Sequence, residues 1–137
     1  MSEKALRRGV VAVITRDEAL LVIRRAEGIA APGKYCFPGG GIEEAESEEL
    51  ALVRELREEL GATVEPQRRL WQSVTPWGVE LAWWLADLDH TAPLVPNPAE
   101  VASVHWLTMA EMDSLEELLE SNREFLRHIR AGAINLR

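Results

Sequence analysis

Two nearly unbroken runs of aliphatic and β-branched residues, Gly9 to Thr15 and Ala19 to Arg25, flank the polar triplet Arg16-Asp17-Glu18 and predict a β-hairpin. A shorter apolar run, Tyr35 to Phe37, predicts a strand that feeds Pro38 and the turn Gly39-Gly40-Gly41. The pattern then changes. Leu52, Val53, Leu56 and Leu60 recur at helical intervals and form one apolar stripe. Ser47 offers a capping hydroxyl, Glu48 and Glu49 suit the positive end of the dipole, and Gly61 supplies a stop, so a helix is expected from about Glu48 to Leu60. Extended segments follow at about Thr63 to Thr75 and Val79 to Leu88, separated by the turn Pro76-Trp77-Gly78. A loop with Pro93, Pro96 and Pro98 leads to a strand at Ala102 to Leu107, and two helical patterns, about Met109 to Glu120 and Asn122 to Ala131, close the chain. Strands with a central and a C-terminal helix make this an α/β chain.

Composition narrows the picture. The 137 residues, 47% of them apolar, are enough for one core, and no Pro/Ser/Gly-rich linker divides them, so a single domain over 1–137 is expected. No apolar run is long enough to span a bilayer, and Met1 to Val10, where Lys4, Arg7 and Arg8 lead into a strand, has no leader pattern; a cytoplasmic protein is expected. An excess of acid, 23 Asp and Glu against 15 Lys and Arg, argues against duplex nucleic acid or a membrane surface as partner. A small molecule remains, bound by a monomer or a homodimer. Cys36, alone of its type, reads as a buried hydrophobe, and His90, His105 and His128 have no ligand spacing.

The chemistry lies beside the helical stripe. At about 100° per residue, Glu55, Glu58 and Glu59 fall within an arc of about 100°. Three like charges on adjacent turns repel and raise one another's pKa values unless cations join them. Oxygen-only ligands suit Mg²⁺, with Mn²⁺ as the substitute. A solvated acidic face is the alternative. Arg54, one turn before Glu58, is placed to hold a carboxylate by a bidentate contact, and Glu46, ahead of the cap, could back up metal ligands or activate a water. The glycine run permits close approach of backbone to a ligand.

The spacing G-x5-E-x7-R-E-U-x-E-E-x-G-U, with U aliphatic, is met at Gly40, Glu46, Arg54, Glu55, Leu56, Glu58, Glu59, Gly61 and Ala62. It resembles the signature of the Nudix hydrolases, with Ala62 smaller than usual. Upstream, Arg24-Arg25 followed by Pro32 to Gly40 looks like the approach of small MutT-type members, and downstream Val104 to Leu107 with Met109 to Met112 looks like their last strand and helix start. The resemblance implies an α/β/α sandwich with a mixed central sheet, and a metal held by Glu55, Glu58, Glu59 and the Gly39 carbonyl. It implies that Arg54 steadies ligands rather than touching substrate. It also implies an acidic ligand or base at Glu100, six residues before Trp106, with Glu80 as the runner-up. The proton acceptor for water is Glu100 or Glu58.

Arg24 or Arg25, one of which alternation should turn into the cleft, is a candidate phosphate ligand. Trp83 and Trp84 point to opposite faces of a strand, so one should be core, and the other, or Trp77, could stack on a base in a pocket with tryptophan walls. Asn122 is the one amide near the start of the last helix that could read an oxidised purine, with helix capping after Ser121 as its expected role. The resemblance thus implies metal-dependent hydrolysis of a nucleoside triphosphate to the monophosphate and pyrophosphate. ADP-ribose or another ADP-sugar and dinucleoside polyphosphates are the competing substrates, and a non-catalytic nucleotide sensor is the competing class.

Overall fold

The computed structural model describes residues 7–137, so the part of the Met1 to Val10 stretch before Arg7 lies outside it. In order along the chain come β1 (Arg7–Val13), β2 (Thr15–Arg16), β3 (Ala19–Arg25), β4 (Tyr35–Cys36) and β5 (Gly39–Gly41). They are followed by α1 (Glu48–Leu60), β6 (Val64–Val74), β7 (Val79–Leu88), β8 (Val101–Leu107), α2 (Met109–Asp113) and α3 (Glu120–Arg130).

The strands form two four-stranded sheets, one ordered β5-β1-β7-β6, the other β2-β3-β4 with β8 on β3. β1 runs antiparallel to β5 and parallel to β7, which makes the first sheet mixed. Alternation along β1 and β3 sends Val10, Ala12, Leu21 and Ile23 to the layer of Leu52, Leu56 and Leu60 on α1. Val11, Val13, Leu20 and Val22 go to the opposite layer with Phe37, Trp83, Met112, Phe125 and Leu126. The result is the α/β/α sandwich expected. In the second layer Trp83 stacks on Phe125 with ring centroids 4.6 Å apart, and truncating a ring so buried costs about 3–5 kcal/mol.

Two local expectations are corrected. The hairpin is only β2 against the start of β3, with Asp17 in the left-handed region at φ 54°. β1 lies between β5 and β7 in the other sheet, so β3 is not its neighbour. The helix expected over Met109 to Glu120 ends at Asp113. Residues 114–119 leave helical geometry because their backbone pairs with the free edge of β4: the Tyr35 N–H donates to Glu117 O at 2.8 Å and the Leu119 N–H donates to Tyr35 O at 2.9 Å.

α1 begins and ends as its sequence demands. Ser47 Oγ accepts from the Leu50 N–H, and Gly61 at φ 59° donates back to Arg57 O. The last carbonyls are also closed from outside, since the Val95 N–H donates to Leu60 O at 2.7 Å and the Asn97 N–H to Glu59 O at 2.8 Å. The proline-rich loop is therefore fastened to the end of the helix that carries the acidic arc.

Candidate active site

β5 runs close against both β1 and α1, so a side chain on either of its first two glycines would displace a neighbour. A Cβ on Gly40 would lie 2.1 Å from Glu55 Oε2, and one on Gly39 would lie 2.1 Å from the Val10 carbonyl. The Gly39 N–H donates to Glu59 Oε1 at 3.1 Å. Glu59 is buried, and that burial, with the charges of Glu100 and Glu55, pushes its carboxyl up to about 8 against the opposing pull of the Gly39 N–H and Arg25. Glu55 is raised for the same first reason, burial, in spite of Arg54 beside it and with Glu58 and Glu100 adding to the rise. Glu55 and Glu59 thus both feel the charge of Glu100, and Glu55 that of Glu58 as well.

Arg54 stands where the acidic residues converge. Its Nε and Nη2 both reach Glu46 at 2.8 Å, Nη2 also donates to Gly41 O at 2.8 Å, and Nη1 donates to Glu55 at 2.9 Å and Glu58 at 3.3 Å. These bonds raise the guanidinium pKa, and with the Glu43 N–H they hold Glu46 down at about 2. Glu46 is engaged at both oxygens by Arg54. Glu58, with its side chain 55% exposed, is far more open than Glu46 or Glu55.

The donor set is all oxygen, and a buried carboxyl raised by its neighbours is one that a hard cation would favour in its charged form. The residues fit a divalent metal in kind. As they stand, no three acidic, histidine or cysteine side chains among the described residues enclose an ion. Glu55 and Glu58 face Arg54, while Glu59 faces the Gly39 N–H.

Glu59 and the glycine strand form one wall of a cleft of about 910 Å³. Ile23, Arg25, Cys36 and Phe37 continue the wall, Leu119, Ser121 and Asn122 close one end, and Arg7, Arg8, Val79 and Leu81 extend the other. Of the pair Arg24 and Arg25, Arg25 lines the cleft, with Nε donating to Ala30 O at 2.7 Å and Nη1 3.9 Å from Cys36 Sγ. Burial pushes that thiol up to about 11. Arg24 lies outside, donating to Gly33 O and resting over Tyr35. A bulge separates the two in their pairing with β8.

Other expectations shift. Asn122 does not cap a helix: α3 starts at Glu120, so the amide falls inside its first turn, buried, and Oδ1 accepts from the Phe37 N–H at 2.9 Å while Nδ2 donates to Ser121 Oγ at 3.1 Å. None of the five tryptophans lines the cleft among the described residues. Trp83 is core, Trp84 donates to Glu48 Oε1 at 2.7 Å, and Trp77 stands 68% exposed in the β6–β7 turn. Glu80 accepts from Gln72 and, facing opposite to Val79 and Leu81, is turned away from the cleft.

A profile for the NUDIX domain matches residues 5–129. The chain belongs to the Nudix family. Among curated relatives, the NAD-capped RNA hydrolase NudC of Stutzerimonas stutzeri is 27% identical over 106 residues, 77% of this chain and 38% of that protein. The CTP pyrophosphohydrolase of Escherichia coli is 48% identical over 52 residues, 38% of each chain. The match thus spans well under half the length of these relatives. Among solved structures, a MutT protein from Methanosarcina mazei superposes with a TM-score of 0.80 at 24% identity, covering 96% of this chain and 98% of that one.

Within this Nudix chain, several cleft residues carried no signal in the sequence. Ser121 and Leu119 reach the cleft because 114–119 abandons the helix, and Cys36 lines the wall because β4 is fixed from both sides by β3 and the Glu117 to Leu119 backbone.

Proposed function

We propose that this Nudix chain is a Mg²⁺-dependent pyrophosphohydrolase acting on a nucleoside diphosphate-linked substrate, with a nucleoside triphosphate cut to the monophosphate and pyrophosphate. The observation that carries the reading is Glu59: a carboxyl in the cleft wall, raised first by its burial and then by Glu100 and Glu55, beside a glycine strand open to ligand. Mg²⁺ held by Glu55, Glu58, Glu59 and the Gly39 carbonyl would neutralise phosphate charge and supply an activated water. Arg54, braced by Glu46 and Gly41, orients Glu55 and Glu58. Arg25 donates to a phosphate oxygen from within the cleft. Glu100 or Glu58 accepts the proton of the water that attacks phosphorus in line, the bridging P–O bond between the α and β phosphates breaks, and the departing pyrophosphate or nucleoside monophosphate takes the electron pair as an anion. Asn122, its Oδ1 engaged by the Phe37 N–H and one Nδ2 hydrogen by Ser121 Oγ, offers the second Nδ2 hydrogen to the base.

A second reading, cleavage of a dinucleotide diphosphate, draws on the length of the cleft beyond the glycine strand toward Arg7 and Val79, and on similarity to a NAD-capped RNA hydrolase over most of the chain. Mass analysis of products from a panel of nucleoside triphosphates, ADP-ribose and dinucleoside polyphosphates, with Mg²⁺ and after chelation, separates the readings. Metal-dependent binding with no product from any of them would identify a sensor instead.

A further inference from the structure

A catalytic role for Glu100 requires that a loop residue keep register with carboxylates on a helix, and Asn97 sits at that junction. Its N–H donates to the backbone carbonyl of Glu59 at 2.8 Å, and its own carbonyl accepts from the N–H groups of Glu100 at 3.0 Å and Val101 at 2.8 Å. Oδ1 accepts from the Ala99 N–H at 3.1 Å. That bond fixes which way the amide lies and leaves Nδ2 facing Glu100 Oε2 at 3.5 Å. Beyond Glu100, its carbonyl accepts from the Ala26 N–H at 3.0 Å at the end of β3. The acid is thus tied on one side to the helix and on the other to the sheet.

The side chain at 97 has two separable tasks. Accepting from Ala99 is a turn function that aspartate performs as well as asparagine. Donating toward Glu100 is open to asparagine alone, since aspartate would set a second carboxylate against the first. We infer that Asn97 is a positioning residue that holds the Glu100 carboxylate in register with the backbone of Glu59, so that the loop acid and the helix carboxylates act as one unit. The inference rests on the reading of Glu100 as an acid of the reaction.

The test is a double-mutant cycle with dGTP and Mg²⁺, read as kcat, KM and the melting temperature of the metal-free protein. Asn97→Asp keeps the turn, so melting stays within about 2 °C of the parent, while kcat falls about tenfold or more with KM changed less than about threefold. In a Glu100→Gln background the same substitution produces no further loss. Unchanged kcat in Asn97→Asp, or the same loss in both backgrounds, overturns the inference. So does an Asn97→Ala protein that loses melting temperature and rate together while Asn97→Asp retains both, since that marks a turn residue only. Full activity in Glu100→Gln removes the reading of Glu100 itself, and the inference with it.

Discussion

Glu59 combines a buried position with a charged task, and its behaviour should follow from that conflict. Its folded pKa, about 8, lies above the ordinary carboxyl value, so between roughly pH 4.5 and pH 8 the folded chain holds a proton that the unfolded chain releases. Metal-free protein should therefore lose stability as pH rises through that window. Excess Mg²⁺ should raise the melting temperature more at pH 8 than at pH 5.5, because the cation favours the ionised form. A scan of melting temperature against pH, with and without Mg²⁺, checks both slopes; a metal-free protein equally stable at both ends removes Glu59 as the source. Glu59→Gln should keep the acceptor for Gly39 and remove the buried charge, so the metal-free variant should melt higher than the parent at pH 8 while kcat drops at least about a hundredfold. Glu58→Gln should match that kinetic loss without the gain in stability, since Glu58 is exposed. Near-normal rates in both variants would sink the metal assignment. Arg54→Ala should cost less than either, acting through the loosened Glu55 and Glu46.

At the scale of elements, β5 makes a sharp contrast between adjacent glycines. In Gly39→Ala the added methyl meets the Val10 carbonyl, which is backbone and cannot give, so β5 must leave β1 and the fold should lose several kcal/mol, on the order of a severe core defect. In Gly40→Ala the methyl meets the Glu55 carboxylate, the free end of a flexible side chain. That protein should fold and melt near the parent yet lose most activity. Circular dichroism melts beside kcat for the two variants decide the matter; equal loss of stability in both would mean that β5 responds as one rigid strand. α1 was legible because its cap, stripe and stop are all local to Ser47 through Gly61. Residues 114–119 were not, because their partner is the edge of β4, far away in sequence. Arg24 and Arg25 could not be told apart for a similar reason: the bulge that sets their directions depends on pairing with β8. Among the tryptophans, opposite facing of Trp83 and Trp84 was readable from alternation, whereas the hydrogen bond that ties Trp84 on β7 to Glu48 at the start of α1 was not.

For the molecule as a whole, the cleft sets the reaction. A nucleoside triphosphate should give the monophosphate and pyrophosphate, and water labelled with oxygen-18 should mark a single phosphoryl product. With no tryptophan in its wall and one buried amide at its end, the cleft should accept several bases with at most modest preference for an oxidised purine. A preference of a hundredfold or more that vanishes in Asn122→Ala would show this to be too cautious, and ADP-ribose cleaved far faster than any triphosphate would overturn the substrate class. The parallel pairing of β1 with β7 has a further consequence, for the order of assembly. β1 is made first and its partner from Val79 onward only after α1 and β6, so this contact must close a long loop of chain and forms slowly compared with the β6–β7 hairpin. Amide protection should therefore appear in the hairpin before it appears in β1. The glycine strand hangs on β1, and Val79 and Leu81, which extend the cleft, belong to β7, so the cleft is completed only at that late step. A nascent chain that has not reached Leu88 carries every carboxylate of α1 and has no cleft in which to use them.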